Sequence, residues 1–306
     1  MWPDVADDGI FVGPRPAAEL VEAVREAGGR ITSVADAAAV IWYQGSPKEF
    51  AALAHPGIRW VQLPNAGVES WLDAGIVNGD RVFSSAAGCY AATVAEHALA
   101  LLLVGARRLH ELARARTWTR PSPVTLRGAT VAIVGCGGIG RALMDMLAPL
   151  GATVLAVTRS GRQVPGAHVS VDPSGMADAL RRADYVVLAA PTTARTRAMI
   201  GAAELALMKP TGWLVNVGRG ALVDTDALVA ALRAGGIGGA ALDVTDPEPL
   251  PDGHPLWTEP RVLITPHSAN SESLLLPELA KRVRENTEHF LAGRPLVGVI
   301  DTAIGY

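Results

Sequence analysis

Three polar residues in the C-terminal half of the chain are of types that could bind an anion and transfer a proton. Arg219 follows Asn-Val-Gly, Glu248 lies between two prolines, and His267 lies in Thr-Pro-His-Ser-Ala. Hydride transfer to a keto acid needs a cation for the carboxylate and carbonyl, and arginine offers a planar pair of donors. It also needs a proton for the developing alkoxide. A histidine can donate one near neutral pH, typically worth about 10²–10⁴-fold in rate, and a carboxylate beside it favours the imidazolium.

Each of these residues also has a purely structural interpretation. Arg219 could cap a helix or pair with Asp224. Glu248 could be a solvated loop residue, and His267 could be a hydrogen-bonded core histidine. His97 is the strongest rival to His267, but it lies in an apolar helix with no charged neighbour except the glutamate before it. The spacing alone leaves both interpretations open.

The stretch from Thr130 to Ala152 has the pattern of a dinucleotide-binding unit. An apolar β-branched run at residues 131–134 leads into Gly-x-Gly-x-x-Gly, apolar residues then recur at helical spacing, and a second strand follows at residues 153–158. The first glycine makes the tight turn, the second admits a pyrophosphate, and the third lets helix and strand pack closely. Free amides at the helix N-terminus can bind phosphate oxygens. The predicted cofactor contacts of this turn are Gly135, Gly137, Gly138, Ile139 and Gly140.

The residues after the second strand of this unit predict which nicotinamide cofactor binds. An NAD-specific unit places Asp or Glu about 20 residues beyond the glycines, where it binds the ribose hydroxyl. Here Arg159 and Ser160 take that place. An arginine and a hydroxyl suit a 2′-phosphate, so NADP(H) is the expected cofactor and NAD(H) is possible. The alternative is that Arg159 stacks on adenine and accepts either cofactor.

Strands and helices alternate along the whole chain. In the first segment, strands are predicted at residues 10–12, 31–34, 39–42 and 60–63, and helices at 17–27 and 47–53. The last of these strands runs into a loop from Asn65 to Val68, whose amides could hold a small anion or form a plain capped turn. A long apolar helix is expected at residues 91–107, and later strands at 185–190, 213–217, 239–244 and 262–265.

This alternation predicts an α/β protein of two domains. The expected fold is a Rossmann doubly wound parallel sheet with a second, smaller flavodoxin-like α/β substrate domain. A helix at about residues 271–292 leads back, and residues 297–300 could rejoin the first domain. The substrate domain would then be discontinuous, at residues 1–92 and 270–306, and the dinucleotide-binding domain would span 93–269.

Composition excludes several classes of function. A net charge of −3 argues against a nucleic-acid partner, and the longest apolar run, residues 98–106, is too short to span a membrane. Two cysteines, Cys89 and Cys136, give no disulfide framework, and the N-terminus carries acids where a signal peptide carries basic residues. We therefore expect a cytoplasmic protein, and no motif indicates a metal site.

Six ordered motifs resemble those of the D-isomer-specific 2-hydroxyacid dehydrogenases over nearly the whole chain. They are Asn65-Ala-Gly-Val-Glu69, Val94-Ala-Glu-His97, Gly135-Cys-Gly-Gly-Ile-Gly140, Asn216-Val-Gly-Arg-Gly220, Ala241-Leu-Asp-Val244 with Glu248-Pro249, and Thr265-Pro-His267. The resemblance implies an NAD(P)-dependent oxidoreductase that interconverts a small 2-keto acid and a D-2-hydroxy acid, with glyoxylate or hydroxypyruvate as the first substrates to consider.

The resemblance also implies a role for each site residue. Arg219 corresponds to the substrate-binding arginine, and Glu248 and His267 to the proton-relaying pair. The loop whose amides hold the substrate carboxylate corresponds to Asn65, Ala66, Gly67 and Val68. The implied cofactor contacts at strand ends are Ala190, Pro191, Thr192, Val217, Gly218, Asp243 and His267, with Asp243 near the nicotinamide carboxamide. A homodimer through the cofactor domain is implied, with residues 96–118 at its interface.

Two differences from the family pattern and two alternative functions bear on this interpretation. No regulatory domain follows Tyr306, which argues against a long-form phosphoglycerate dehydrogenase, and the usual acid after the second cofactor-domain strand is missing. One alternative is a non-catalytic dinucleotide-sensing protein, similar to a corepressor, on the same fold; the intact set of Arg219, Glu248 and His267 argues against it. The other is a formate-dehydrogenase-like enzyme, which needs no proton relay and is disfavoured by Glu248.

Overall fold

The described residues form two compact units. The computed structural model describes residues 8–118, 120 and 122–302. One unit contains the chain up to Tyr90 together with the chain from Ser271 onward, and the other contains Ala91–Asn270. The first unit is therefore discontinuous in sequence.

The first unit is built on a five-stranded parallel sheet. Its strands are β1 (Gly9–Pro14), β2 (Arg30–Ile31), β3 (Ala37–Tyr43), β4 (Trp60–Gln62) and β5 (Val82–Ser84), and its first helices are α1 (Ala18–Glu26), α2 (Pro47–Leu53) and α3 (Glu69–Asp73). The strand order β2-β1-β3-β4-β5 is that of flavodoxin-like domains, as predicted. An aromatic cluster forms part of the core, with Trp42 packed edge-on against Phe50 at 5.3 Å and Trp71 at 6.3 Å between ring centroids.

One predicted strand of this unit was wrong in part. Residues 31–34 were expected to be extended, but β2 ends at Ile31 and a 3₁₀ turn follows at Val34–Asp36. The hydroxyl of Ser33 donates to Oδ2 of Asp36 at 2.8 Å, and this local hydrogen bond stabilises the turn. Short polar side chains often compete with sheet hydrogen bonds in this way.

The second unit contains a seven-stranded parallel sheet. Its strands are β6 (Thr130–Val134), β7 (Thr153–Val157), β8 (Val169–Val171), β9 (Tyr185–Leu188), β10 (Trp213–Asn216), β11 (Gly239–Leu242) and β12 (Val262–Ile264). Its helices are α4 (Ala91–Arg107), α5 (Leu109–Arg114), α6 (Gly138–Leu147), α7 (Met176–Arg182), α8 (Ala202–Leu207) and α9 (Thr225–Arg233). Short 3₁₀ turns occupy Ala148–Leu150, Pro173–Gly175, Gly220–Leu222 and Pro255–Trp257.

The strand order of this sheet confirms the predicted Rossmann fold. The order is β12-β11-β10-β9-β6-β7-β8, so β6 and β9 are neighbours and the connections run outward from them in both directions. Ligands of open α/β sheets bind at such a switch point, beyond the carboxyl ends of the strands. The glycine turn follows β6, and the segment containing Thr192 follows β9, so both reach this position.

The long helix α4 packs within the second unit, which explains why it is so apolar. Its Gly105 lies against the Trp213 ring, where an added Cβ would approach ring atoms to 2.8 Å. Ala95, Ala98 and Leu102 are fully buried on the same helix. The helix therefore forms part of the core that supports β10 and β11.

The last helix, α10 (Glu272–Leu291), and the tail complete the first unit. Asn286 is fully buried there and donates to Oε1 of Gln62 at 2.8 Å and to the Val297 carbonyl at 2.9 Å. The tail then adds an antiparallel bridge between Ser84 and Val299. The expectation that the C-terminal residues 297–300 rejoin the first domain is consistent with these contacts.

Among the described residues, no helix is both long enough and apolar enough to cross a membrane.

Candidate active site

The glycine turn between β6 and α6 leaves space for a phosphate. Gly135 has a φ of +94°, and a Cβ there would lie 2.5 Å from the Ala190 amide nitrogen. A Cβ at Gly140 would lie 2.5 Å from the Gly135 carbonyl oxygen, whereas one at Gly137 would meet nothing within 4 Å. The first and third glycines thus permit close packing, and the second leaves open space where α6 begins. Because the first amides of a helix have no intrahelical acceptor, they can donate to phosphate oxygens here.

The segment after β9 contains a buried hydroxyl that could form a hydrogen bond with a ligand. The Ala189 amide donates to the Val134 carbonyl at 2.8 Å, which holds this segment beside the glycine turn. Oγ1 of Thr192 is buried, and within the described part of the chain it has no hydrogen-bond partner. A buried hydroxyl without a partner is costly, so it suits a polar ligand group. The glycine turn and Thr192 together fit a nicotinamide dinucleotide.

Arg159 and Ser160 lie beside the same turn. The Gly135 amide donates to the Val157 carbonyl at 3.0 Å, so the end of β7 adjoins the glycines. Both residues that follow the strand are exposed, and Oγ of Ser160 accepts from the Arg162 amide at 3.4 Å. A guanidinium and a hydroxyl are therefore presented to solvent next to the dinucleotide turn.

Asp172, which the sequence analysis did not single out, is an acid close to this strand end. A Cβ at Gly161 would lie 3.0 Å from the Asp172 amide nitrogen, so the two backbones are in contact. The carboxylate accepts from the hydroxyl of Ser174 at 2.5 Å and from its amide at 2.9 Å, and these bonds lower the pKa of Asp172. This acid is thus already used to cap the 3₁₀ turn at Pro173–Gly175.

Arg219 is positioned by its neighbours at the end of β10. Oδ1 of Asn216 accepts from the Gly218 amide at 3.1 Å, and its Nδ2 donates to the Arg219 carbonyl at 2.9 Å. A Cβ at Gly220 would lie 1.8 Å from the Thr245 carbonyl oxygen, so only glycine fits after the arginine. The half-buried Arg219 donates from Nη1 to the Gly218 carbonyl at 2.8 Å. Val217 and Gly218, which precede it, are buried.

The structure brings His267 and Glu248 into direct contact. Nδ1 of His267 lies 2.5 Å from Oε1 of Glu248, and the side chains are 58% and 41% exposed. The loop that carries the glutamate is anchored by Thr225, whose hydroxyl donates to the Asp246 carbonyl at 2.6 Å. Because Nδ1 faces the carboxylate, Nε2 is the ring nitrogen left for a reacting group.

Asp243 holds the backbone on both sides of His267. Its carbonyl accepts from the His267 amide at 2.7 Å. Its Oδ1 accepts from the Thr265 hydroxyl at 2.8 Å and the Ser268 amide at 2.9 Å, and both carboxylate oxygens accept from the Ala269 amide, at 3.1 and 3.2 Å. The side chain was predicted to contact the cofactor.

His97 also reaches this carboxylate. Its Nε2 lies 2.9 Å from Oγ1 of Thr265 and 3.3 Å from Oδ1 of Asp243. Burial opposes ionisation of Asp243, but hydrogen bonds from His97, Thr265 and the Ser268 amide outweigh it and lower the pKa of Asp243. The expectation that His97 has no acidic partner beyond the preceding glutamate was wrong. Only the shared strand edge of Asp243 and Thr265 could have indicated this contact from the sequence.

The loop Asn65–Val68 belongs to the first unit and is fixed at both ends. The Asn65 carbonyl accepts from the Ala86 amide at 2.9 Å, and Val68 is 1% exposed and directly precedes α3. Asn65 and Ala66 are exposed, and Gly67 is half-buried. The loop therefore presents backbone to solvent from a fixed position.

Three aromatic residues of the first unit, Trp42, Tyr43 and Tyr90, differ in their surroundings. Trp42 is 1% exposed inside the aromatic core. The Tyr43 hydroxyl donates to Oε1 of Glu272 at 2.6 Å, and burial followed by this hydrogen bond raises the pKa of Tyr43 to about 12. The Tyr90 hydroxyl donates to the Pro64 carbonyl at 2.5 Å and so supports the Asn65 loop. Trp42 is a core residue.

The chain is similar to known proteins over most of its length. Residues 98–269 match the model of the D-isomer specific 2-hydroxyacid dehydrogenase NAD binding domain. The chain is 41% identical, over 94% of its length and 97% of the relative, to a protein of Corynebacterium melassecola described as an uncharacterized protein in the proB 3′ region. It is 34% identical to the glyoxylate reductase of Aeropyrum pernix, over 76% of each chain.

The chain belongs to the D-isomer-specific 2-hydroxyacid dehydrogenase family.

A solved structure extends this result to the whole fold. The NADPH-dependent glyoxylate/hydroxypyruvate reductase of Sinorhizobium meliloti, in complex with NADP and sulfate, superimposes with a TM-score of 0.84 at 26% identity, over 98% of this chain and 100% of the other. The protein is thus an NAD(P)-dependent oxidoreductase with a dinucleotide-binding unit, as the glycine turn and the strand order had indicated.

Proposed function

We propose that this dehydrogenase uses NADPH to reduce a small 2-keto acid of the glyoxylate or hydroxypyruvate type. The observation that carries the proposal is the 2.5 Å contact between Nδ1 of His267 and Oε1 of Glu248. A histidine held by a carboxylate is the proton donor that carbonyl reduction requires. The substrate class is supported by relatives named glyoxylate reductase and glyoxylate/hydroxypyruvate reductase.

In this proposal Arg219 binds the keto acid and His267 supplies the proton. The guanidinium pairs with the substrate carboxylate and polarises the carbonyl, because its planar donors match two oxygens. Nε2 of His267 gives its proton to the carbonyl oxygen as that oxygen becomes an alkoxide. Glu248 keeps Nδ1 protonated and stabilises the imidazolium before the transfer. When bound, the nicotinamide cofactor supplies the hydride.

Backbone amides of the Asn65–Val68 loop are the second carboxylate contact of the proposal. The loop offers exposed backbone, and its ends are fixed by the Ala86 amide and by α3. Hydrogen bonds to an ionised acceptor are stronger than neutral ones. Amides of this loop can thus bind the carboxylate of a small acid.

NADPH is the proposed cofactor because of the residues at the end of β7. The first-turn amides of α6, the open space at Gly137 and Oγ1 of Thr192 receive the dinucleotide. Ala190, Pro191, Val217, Gly218 and Asp243 complete the strand-end contacts. Arg159 and Ser160 bind the 2′-phosphate.

A homodimer through the cofactor-binding unit is part of the proposal. Large apolar side chains are exposed in residues 96–118, where Leu109 is 46% exposed, Leu112 is 39% exposed and Trp118 is 91% exposed. A group of exposed apolar side chains is typical of a surface that a partner covers. A second copy of this chain suits it, since most soluble oligomers are symmetric homo-oligomers.

We also propose a cytoplasmic location. Cys89 and Cys136 are both free, and burial raises the pKa of each thiol, that of Cys136 to about 11. Unpaired cysteines suit a reducing compartment.

Steady-state kinetics on the purified protein test the proposed function. Glyoxylate, hydroxypyruvate and pyruvate are each offered with NADPH and with NADH, and the glycerate formed from hydroxypyruvate is resolved into its enantiomers. We expect turnover with NADPH, higher kcat/KM for glyoxylate or hydroxypyruvate than for pyruvate, and the D-enantiomer as product. Absence of turnover with all three acids, in a protein that binds NADPH, would contradict the proposal and favour a dinucleotide-sensing role.

A further inference from the structure

The contact of His97 with Thr265 and Asp243 has no part in the proposed reaction. His97 lies on α4, whereas Thr265 and Asp243 lie at the ends of β12 and β11. The imidazole is mostly buried, with 22% of its side chain exposed. His97 is a polar side chain in a largely apolar helix, and its hydrogen bond to Thr265 explains why it is tolerated there.

The direction of these hydrogen bonds follows from the chemistry of the three groups. The Asp243 carboxylate can only accept, so the Thr265 hydroxyl donates to its Oδ1 at 2.8 Å. The Thr265 oxygen then accepts from Nε2 of His97 at 2.9 Å. Nε2 therefore carries a proton whether the ring is neutral or charged. The chain of donors runs from His97 through Thr265 to Asp243.

This chain of donors ends at the segment that carries His267. His267 has a φ of +50°, in the left-handed region that residues other than glycine rarely adopt. Such a conformation persists only where the surroundings fix it. Here Asp243 binds the amides of His267, Ser268 and Ala269, and its carboxylate depends on Thr265 and His97 for its remaining hydrogen bonds.

We propose that His97 is a positioning residue for His267. It holds Thr265 and Asp243, and these hold the backbone of residues 267–269 so that Nδ1 of His267 meets Glu248. The inference rests on the proposed function for its catalytic consequence, but its structural part stands without turnover. His97 itself touches neither Glu248 nor His267 in any described contact.

Two pairs of substitutions distinguish the effect of losing a hydrogen bond from the effect of changing the side-chain volume. His97→Leu and Thr265→Val remove the donor or hydroxyl and keep most of the volume. His97→Gln keeps an N–H donor near the position of Nε2, and Thr265→Ser keeps the hydroxyl. Thr93→Val is the matched control, because Thr93 lies on the same helix and its hydroxyl donates to Oδ1 of Asn270 at 3.1 Å.

The first measurement needs no turnover. Amide hydrogen exchange of residues 267–269 is compared in the wild-type protein and the five variants. We expect exchange to be faster by about tenfold in His97→Leu and Thr265→Val, since a lost hydrogen bond is worth roughly one decade in an opening equilibrium. The conservative variants and Thr93→Val should stay within about threefold of wild type. Unchanged exchange in His97→Leu would overturn the inference, whatever the enzyme's activity.

The second measurement connects positioning to catalysis. We expect His97→Leu to lose about tenfold in kcat with KM for NADPH little changed, and His97→Gln, which keeps the N–H donor, to stay within about threefold of wild type. Added to Glu248→Gln, the change to leucine should lower kcat by a smaller factor, because both substitutions act on one contact. If wild type turns over and His97→Leu has normal kcat, the inference fails while the proposed function stands.

Discussion

Nδ1 of His267 and Oε1 of Glu248 are 2.5 Å apart, although they come from different loops, after β12 and β11. A carboxylate at this distance accepts a hydrogen bond from Nδ1 and fixes the orientation of the ring. We therefore expect Glu248→Gln to lower kcat by about tenfold, because a charge-assisted hydrogen bond is lost, while KM for NADPH changes little. Steady-state kinetics with each substrate varied in turn measure the two quantities. An unchanged kcat would mean that Glu248 does not position the proton donor.

Replacing His267 itself should lower kcat more than replacing Glu248 does. If His267 protonates the alkoxide, His267→Gln should lower kcat by about two to four decades while the affinity for cofactor barely changes. Single-turnover kinetics and cofactor titration by fluorescence measure the two quantities separately. His254→Gln is a control, since Nδ1 of His254 accepts from the Leu256 amide at a turn. A loss of less than fivefold would reject His267 as the proton donor.

The role of Arg219 depends on the shape of its side chain as well as its charge. A lysine keeps the charge but cannot make a two-pronged contact with a carboxylate. We expect Arg219→Lys to lose about 2–4 kcal/mol in kcat/KM for the keto acid, similar to the cost of truncating one partner of a charge pair. The melting temperature should change little. Arg182→Lys is the matched control, because Arg182 pairs with Asp178 on the surface of α7. Normal kinetics in Arg219→Lys would refute substrate binding.

The sequence was a good guide to elements that have a strong pattern. The strand order of the cofactor-binding unit follows from the glycine turn and from four buried apolar runs, and both sheets are of the predicted type. The strands β5 and β8 were not predicted; each lies at the edge of its sheet and consists of two apolar residues and a serine. The short helices α5 and α8 were also missed, because neither is long enough to show a clear periodicity.

The sequence was a weaker guide to how side chains meet. The contact between His267 and Glu248 was anticipated because the two residue types suit one reaction. The contact between His97 and Asp243 was not, because it joins a helix to two strand ends that are distant in the chain. Such a contact depends on how α4 crosses the sheet, and periodicity predicts which helix face is buried but not which residue it meets.

His110 gives a prediction about stability rather than activity. Its side chain is completely buried and packs against Trp213 at 5.0 Å between ring centroids. Burial lowers the pKa of His110 below its ordinary value of 6.5, despite the nearby Glu111. The unfolded chain then binds more protons than the folded protein as the pH falls below 6.5, so stability is lost in that range. Above pH 6.5 this histidine contributes no pH dependence.

His110→Phe should remove this part of the acid sensitivity. The ring keeps its size and its contact with Trp213, and it cannot be protonated. We expect the melting temperature of the wild type to fall more steeply than that of the variant between pH 6.5 and about 5. Differential scanning calorimetry over this range measures the difference. Parallel curves would show that His110 is not protonated on unfolding.

Arg159 provides the sharpest test of cofactor preference. It lies next to the glycine turn at the end of β7, where an NAD-specific unit carries an acid. A guanidinium that binds the 2′-phosphate near a wet surface contributes about 1–4 kcal/mol, or about five- to a thousandfold in selectivity. We expect wild type to prefer NADPH, Arg159→Ala to lose most of that preference, and Arg159→Asp to favour NADH. Arg162→Ala is the control, since Arg162 lies beyond the Gly161 turn. The ratio of kcat/KM values for the two cofactors is the measurement, and wild-type preference for NADH, or an unchanged ratio in Arg159→Ala, would overturn the assignment.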